Sequence, residues 1–138
     1  MIVLDTNVLS ELVKFEPDQR VLRWLESRDQ RTLYITAVTV AEMLTGTNTM
    51  DEGRRSDRKA DLVLEVLAPF HRRTLSFDVV AASECANLTS LRASAGRPIG
   101  LADAMIAATA IAAEADAFAT RDKDFADIGL PIVNPWAA

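Results

Sequence analysis

Short runs of apolar and β-branched residues alternate with longer stretches of helical periodicity along almost the whole chain. The short runs predict β-strands at residues 2–4, 32–36, 73–77, 117–120 and 131–134. The longer stretches predict helices at residues 6–13, 18–28, 37–48, 54–69, 78–95, 102–115 and 124–128. Short, continuously apolar strands are typical of a parallel sheet whose two faces are covered by helices. We therefore predict an α/β fold, a three-layer α/β/α sandwich with a mostly parallel central sheet, in which residues 1–138 form a single domain.

Residues that start and stop helices fall at the boundaries of these segments. Pro17 and Asp18 precede the second predicted helix, and Pro69 ends the fourth. Thr36 and Asp78 are placed to cap the helices that follow them, because their side-chain oxygens can accept from the unpaired amides of a first turn. These signals support the division into strands and helices.

Acidic residues follow the predicted strand ends and helix starts. Asp5 closes the first strand, and Asp122 follows the fourth after one intervening residue. The functional crevice of an open parallel sheet lies outside the carboxyl ends of its strands, so we expect both acids at that edge. Asp103 stands in the first turn of a helix that is otherwise almost uncharged, where a buried carboxylate needs a partner or a metal. Glu42 lies opposite the apolar face of the third helix, and periodicity leaves open whether it meets solvent or a cleft.

Each acid also has an ordinary structural explanation when it is considered alone. Asp5, Asp122 and Asp124 are suited to capping a helix or a turn. Asp103 suits the positive end of a helix dipole, and Glu42 suits a helix surface. Four carboxylates in one cleft, however, would repel one another and require a cation. Because Mg²⁺ and Mn²⁺ prefer oxygen ligands and bind substrate phosphates, the acids together predict a divalent-metal site for phosphodiester hydrolysis.

Composition and charge narrow the remaining classes of protein. Hydrophobic residues make up 49% of the chain and charged residues 25%, as in a folded globular protein. The net charge of −5 disfavours a protein that coats nucleic acid, although basic residues cluster in the segment EGRRSDRKAD. Cys85, the single cysteine, lies in an alanine-rich helix, which predicts a buried apolar role and a reducing cytoplasm. The sequence has no signal-peptide pattern and no run long enough to span a membrane.

Several other chemistries lack the residues that they need. His71 is the only histidine, which disfavours a zinc site and a Ser-His-Asp triad. The glycines are isolated, so no glycine-rich phosphate loop is present. Haloacid-dehalogenase-like phosphatases also begin with an apolar strand ending in Asp, but they need a second acid two residues later, where this chain has Asn7.

The segments MIVLDTNVLSEL, TAVTVAEMLTG, GLADAMIAATA and AFATRDKDF occur in that order and span almost the full length. This ordered set resembles the PIN-domain proteins, and most closely the VapC-type toxins of bacterial toxin-antitoxin pairs, including their FitB-like branch. The motif DTNVL alone is moderately specific, whereas the four segments in order form a specific pattern.

The resemblance implies a metal-dependent endoribonuclease. By position in the motifs, it assigns the acidic site to Asp5, Glu42, Asp103 and Asp122. Asp5 and Asp103 match metal ligands, and Glu42 matches an acid that binds the metal directly or through water. Asp124 is the alternative fourth acid, because relatives vary in this loop. The small polar residues that orient the carboxylates or bind water match Thr6, Asn7 and Thr120.

The resemblance further implies Mg²⁺ as the cofactor, with Mn²⁺ able to replace it. A metal-activated water would attack an RNA phosphodiester and leave a 5′-phosphate and a 3′-hydroxyl. The absence of a histidine near the acids agrees with this mechanism, since cleavage through the RNA 2′-hydroxyl commonly needs such a base. The RNA-contact candidates on the fourth helix, which are equally well explained as a solvated face, are Arg54, Arg55, Arg58 and Lys59.

The partners implied by the resemblance are a VapB-like antitoxin, a second copy of the chain in a homodimer, and a larger toxin-antitoxin assembly that reaches DNA only through the antitoxin. Leu9, Leu12 and Val13 are candidates for the antitoxin's docking groove, and they are equally well explained as core residues. The alternative function is a non-catalytic PIN-like binding subunit, which retention of all four acids disfavours.

Overall fold

The computed structural model of the chain describes residues 1–48 and 54–138, and only the backbone at residues 48 and 54–56. Its strands are β1 (Ile2–Leu4), β2 (Leu33–Thr36), β3 (Thr74–Leu75), β4 (Ala117–Ala119) and β5 (Ile132–Val133). The α-helices are α1 (Thr6–Leu12), α2 (Gln19–Glu26), α3 (Ala37–Asn48), α4 (Arg54–Leu67), α5 (Val79–Ser94) and α6 (Leu101–Ala112). Short 3₁₀ turns cover Gln30–Thr32, Ala68–Phe70, Lys123–Phe125 and Pro135–Ala137.

The five strands form one sheet in the order β3-β2-β1-β4-β5, and every neighbouring pair is parallel. Each strand coincides with a predicted apolar run, which confirms the parallel α/β prediction. Val3 packs with Ile106 and Phe118 in one core cluster. Leu4, the next residue, packs with Val8 on the opposite face. Successive side chains of the strand thus pack into two separate cores, as expected for a sheet covered by helices on both faces.

Helix boundaries follow the predicted capping residues. The Asp78 carboxylate accepts from the backbone N–H of Ala81 at 2.9 Å, and the Thr36 hydroxyl accepts from that of Thr39 at 3.1 Å. Cys85 is buried, as expected for a small apolar residue. Within the described residues, no helix is both long and apolar enough to cross a bilayer.

One prediction about local structure is wrong, and one alternative that the sequence left open is decided. The helix expected at 124–128 is a single 3₁₀ turn, because the backbone is extended at Ala126 and left-handed at Asp127, where φ is 59°. Of the two explanations left open for Leu9, the structure supports the core, because Leu9 is fully buried on the α1 side of the sheet. Leu12 is half-buried, and Val13 packs against the same core.

Strand register places the ends of β1 and β4 side by side at the carboxyl edge of the sheet. Leu4 pairs with Ala119, and the backbone N–H of Asp5 donates to the Ala119 carbonyl at 2.9 Å. Thr120, the residue after β4, is held in turn by its backbone N–H, which donates to the Val133 carbonyl. Asp5 and Thr120 therefore leave the sheet at neighbouring positions.

Candidate active site

A cavity of about 290 Å³ opens at this carboxyl edge of the sheet. It is lined by Asp5, Thr6, Asn7, Ser10, Glu11, Lys14, Glu42, Asp103, Arg121 and Asp122. The four acids predicted from the sequence motifs all belong to this lining, although they are far apart in the chain. The topology therefore brings the predicted acids together.

Asp5 is the most buried of these four acids, with 4% of its surface exposed. Its carboxylate accepts from the backbone N–H of Thr6 at 2.7 Å and from the Thr120 hydroxyl at 2.8 Å, so it also caps α1. Burial raises the pKa of Asp5 to about 6 despite these hydrogen bonds, and the charges of Asp103 and Asp122 contribute to the rise. A positive charge in the cavity would relieve this penalty.

Asp103 extends from the first turn of α6 toward the loop that follows β4. One carboxylate oxygen each from Asp103, Asp122 and Asp124 can be chosen so that all three lie within 4.8 Å of one another. Burial raises the pKa of Asp103, and the neighbouring acids add to the effect, first Asp122, then Glu42 and then Asp124. The macrodipole of α6 alone does not offset this repulsion.

Asp122 and Asp124 have different positions in this cluster. Asp122 lines the cavity, and its carboxylate also accepts from the backbone N–H of Asp124 at 2.9 Å, closing the 3₁₀ turn. Asp124 is exposed and lies outside the cavity lining, but its carboxylate reaches the same cluster. Both acids are thus near Asp103, with Asp122 on the cavity side.

Glu42 is exposed on α3, and it faces the cavity. Its carboxylate accepts from the Thr6 hydroxyl at 2.7 Å, and the Thr6 oxygen lies 3.1 Å from that of Thr39, which is buried. Thr6 therefore connects α1 to α3 and orients Glu42. Thr39 was not predicted from the sequence, where its only signal was its position one helical turn before the apolar Met43.

Thr120 is buried next to the cavity and connects three of the residues that line it. Its hydroxyl donates to Asp5 and accepts from the Asn7 amide at 3.1 Å and from the backbone N–H of Asp122 at 3.0 Å. The buried Oδ1 of Asn7 has no hydrogen-bond partner among the described residues. It therefore leaves an acceptor available beside the acids.

The oxygen-rich lining fits a hard divalent cation. The cavity collects carboxylates with raised pKa values and an unpartnered amide oxygen, and such oxygen donors suit Mg²⁺ or Mn²⁺. The residues able to hold the cation are Asp5, Glu42, Asp103, Asp122 and Asp124.

Other residues of the lining were not predicted from the sequence. Ser10, Glu11, Lys14 and Arg121 reach the cavity because α1 and the loop after β4 converge there. The predicted RNA-contact residues Arg58 and Lys59 are exposed on α4 and do not belong to the lining. The side chains of Arg54 and Arg55 lie outside the described part of the chain.

A buried cation, Arg92 on α5, connects two segments that carry acids. It is 6% exposed, its Nε donates to the Arg97 carbonyl at 2.8 Å, and its Nη1 donates to the Asp124 carbonyl at 2.8 Å. Arg97 belongs to the connection that leads into α6 and Asp103. Arg92 therefore fixes the start of α6 relative to the acidic loop.

We expect Arg92→Lys to lower the free energy of unfolding by about 1 to 2 kcal/mol, because an ammonium group lacks the planar fork that reaches both carbonyls. Urea denaturation measures this change. Arg97→Lys is the matched control, since Arg97 is exposed and pairs only loosely with Asp127 at 3.3 Å. Equal destabilisation by the two variants would contradict the role of Arg92.

Comparison with known proteins places the chain in a family. The sequence profile of the PIN domain matches residues 2–130. The VapC ribonuclease Y4jK of Sinorhizobium fredii is 46% identical over 138 residues, covering 99% of this chain and 98% of that protein. The toxin FitB of Neisseria gonorrhoeae is 36% identical over 138 residues, covering 99% of each.

A solved structure of FitAB bound to the IR36 DNA fragment contains a chain with the same fold. The TM-score is 0.90 and the sequence identity is 36%, with 99% of this chain and 96% of that chain covered. The family profile, the level of identity and the shared architecture agree along nearly the whole length. The chain therefore belongs to the PIN domain family, in the VapC-type group that includes FitB.

Proposed function

We propose that this chain is a metal-dependent endoribonuclease and acts as the toxin of a toxin-antitoxin pair, with residues 1–138 as its single domain. The observation that carries the proposal is the convergence of acids from four separate segments on one open cavity, which contains Asp5, Glu42, Asp103 and Asp122. The raised pKa values of Asp5 and Asp103 support it, since burial and the neighbouring carboxylates disfavour the ionised forms that a bound cation would stabilise. The similarity to a VapC ribonuclease supports the choice of RNA.

In this proposal Asp5 and Asp103 are metal ligands, Glu42 binds directly or through water, and Asp122 is the fourth acid. When bound, Mg²⁺ or Mn²⁺ would activate water and neutralise charge on the phosphodiester. Asp124 lies outside the cavity lining and adds a third carboxylate close to those of Asp103 and Asp122.

The chain's own polar residues orient these acids. Thr120 and the backbone N–H of Thr6 fix the two oxygens of Asp5, and the Thr6 hydroxyl fixes one oxygen of Glu42. Asn7 holds Thr120 through its amide nitrogen, and its own oxygen is buried without a hydrogen-bond partner among the described residues. The carboxylates of Asp5 and Glu42 are thus each held by other residues, which limits the reorganisation needed for binding.

The partners follow from the relatives. FitB is named a toxin, and the similar chain of known structure lies in a FitAB complex bound to DNA. By analogy we propose a VapB-like antitoxin, a homodimer, a larger assembly that reaches DNA through the antitoxin, and a cytoplasmic location.

Cleavage of a mixed cellular RNA pool by antitoxin-free protein tests the activity. We expect cutting with Mg²⁺ or Mn²⁺, none with EDTA, and products that carry a 5′-phosphate and a 3′-hydroxyl. Sequencing of the product ends with and without phosphatase treatment distinguishes these termini. A 2′,3′-cyclic phosphate would contradict attack by water. A folded protein that cuts nothing under any of these conditions would favour the binding-subunit alternative.

A further inference from the structure

Two cations, Lys14 and Arg121, also line the acidic cavity, and both lie near enough to Glu11 to interact with its charge. Lys14 follows the end of α1, and Arg121 lies between Thr120 and the acid Asp122. These two residues are the cations of the cavity lining within the described part of the chain. A strand of RNA that enters the cavity therefore meets acids and cations in the same opening.

We propose that Lys14 and Arg121 form a phosphate-binding subsite that holds the RNA phosphodiester adjacent to the one being cleaved. This inference rests on the proposed nuclease function and names the part of the substrate that these two cations would bind. The acids repel a polyanion when no metal is present, so a nearby cationic contact would favour one position and direction of the strand.

Arg121 is held in place by an aromatic ring. Its Cζ lies 4.5 Å from the ring centroid of Trp136, which is 6% exposed and packs in the core. Stacking on a buried ring limits the motion of the guanidinium and leaves its N–H groups at the edge available. Among the described residues no carboxylate lies within ion-pair distance of Arg121, although its side chain is exposed.

Lys14 is held by a buried acid. Its Nζ lies 2.7 Å from Glu11 Oε2, and Glu11 is 4% exposed. The other oxygen of Glu11 accepts from the backbone N–H of Asp18 at 2.8 Å, which ties the pair to the start of α2. Half of the Lys14 side chain remains exposed, so its ammonium can still donate toward the cavity.

The two cations differ in what they can contribute. Lys14 is ion-paired with Glu11, whereas Arg121 makes no ion pair among the described residues and feels the charges of Glu11 and Asp18 only at longer range. Its planar fork can therefore contact a phosphate at two points. Arg121 is therefore the principal contact of the subsite, and Lys14 adds a single donor and a weaker field.

Binding of a short fluorescein-labelled single-stranded RNA tests the subsite independently of cleavage. The measurement is fluorescence anisotropy with Mg²⁺ present, in an Asp103→Asn background that prevents turnover. We expect Arg121→Gln to weaken binding roughly tenfold and to reduce the salt slope of the binding constant by about one. Arg121→Lys should recover part of the affinity, because it restores the charge but not the fork. Circular dichroism checks that each variant folds.

Arg31→Gln is the matched control. Arg31 is an exposed arginine that pairs with Asp29 at 2.8 Å on the turn before β2, and it does not belong to the cavity lining. It should leave both the affinity and the salt slope within about twofold of the parent. Equal losses in Arg31→Gln and Arg121→Gln would overturn the subsite and indicate a general charge effect.

A substrate with one neutral methylphosphonate next to the scissile bond then locates the contact. In the otherwise wild-type protein, neutralising the linkage on one side should raise KM roughly tenfold, whereas in Arg121→Gln the same change should have little further effect. Wild-type cleavage with unchanged KM and binding in Arg121→Gln would overturn the subsite and leave the nuclease proposal intact. RNA binding that depends on Arg121, without any wild-type cleavage, would support phosphate binding by Arg121, reject the nuclease, and overturn the position next to a scissile bond.

Discussion

Asp103→Asn is expected to reduce metal-dependent RNA cleavage by a factor on the order of 10³ or more in kcat/KM. Asp103 contributes a carboxylate to the three-acid cluster and faces the cavity shared with Asp5. The amide keeps the size of the side chain but removes the negative charge that a divalent cation requires. The loss should therefore appear in catalysis and in metal affinity together.

The same substitution should leave the protein at least as stable as wild type at pH 7.5 without metal. Burial and the charges of Asp122, Glu42 and Asp124 raise the pKa of Asp103, which means that its ionised form opposes folding. Asparagine removes this repulsion. Such a gain in stability with loss of function is typical of residues kept for chemistry.

Kinetics on a defined RNA, a Mn²⁺ titration and urea denaturation measure the three consequences of Asp103→Asn. The matched control is Asp61→Asn, since Asp61 is an exposed acid on α4 outside the cavity lining. It should change cleavage by less than about twofold. An Asp103→Asn protein that retains cleavage and Mn²⁺ affinity would contradict the assignment of Asp103.

In the absence of divalent cations, the free energy of unfolding is expected to fall by about 2.4 kcal/mol as the pH rises from about 4 to about 7, because of Asp5 alone. The pKa of Asp5 is about 6 in the folded protein, against an ordinary value of 3.8. Between these values the native state keeps a proton that the unfolded chain has released. Since the native state binds more protons there, stability decreases with rising pH and levels off above the folded pKa.

Other acids act in the opposite direction at lower pH. Hydrogen bonds from Arg20, from Arg31 and from the N-terminal ammonium lower the pKa values of Asp18, Asp29 and Asp116 respectively. Their stabilising contributions are lost only as the pH falls below about 4. The decrease in the free energy of unfolding caused by Asp5 should therefore be visible between pH 4 and 6, at a higher pH than the loss of these other contributions.

Added Mn²⁺ should oppose the decrease caused by Asp5. A cation bound only to the native state at 100 times its dissociation constant adds about 2.7 kcal/mol. This gain should be large at pH 7.5 and small at pH 4.5, where protons compete for the carboxylates.

Urea denaturation of metal-free protein across this pH range checks the expected slope. Asp5→Asn should reduce the fall in the free energy of unfolding between pH 4 and 6. The surface control Asp61→Asn should show the same fall as the wild-type protein. A stability that rises through the interval in metal-free protein would contradict the raised pKa of Asp5. Equal stabilisation by Mn²⁺ at both pH values would contradict binding at the acids.

Much of the fold and the acidic part of the site could be predicted from local patterns. Strand β1 and the cap at Asp78 are set by residues close together in the chain. Both were predicted from the sequence, and the structure contains both. Asp103 was found as an acid in an almost uncharged helix, whereas Glu42 was assigned only through the resemblance, because a helix pattern does not show what the polar face meets.

The segment at 124–128 and the environment of Leu9 could not be predicted, because both depend on tertiary packing. The apolar periodicity near Phe125 and Ile128 predicted a helix. Both residues instead belong to a loop whose backbone turns at Asp127, and their side chains pack into the core. Leu9 carries the same apolar signal whether it faces the core or a partner, and only the packing of α1 on the sheet assigns it to the core.

The sequence by itself determined the alternation of strands and helices, the parallel sheet, and the acids at strand ends and helix starts, because these depend on short-range periodicity and on a general rule of strand direction. Only the tertiary structure decided that Thr6 and Thr39 connect α1 to α3, that Arg92 joins two acid-bearing segments, and that Lys14 and Arg121 share the acidic cavity. These relations join residues from separate segments, and their distances are set by how helices and loops pack on the sheet.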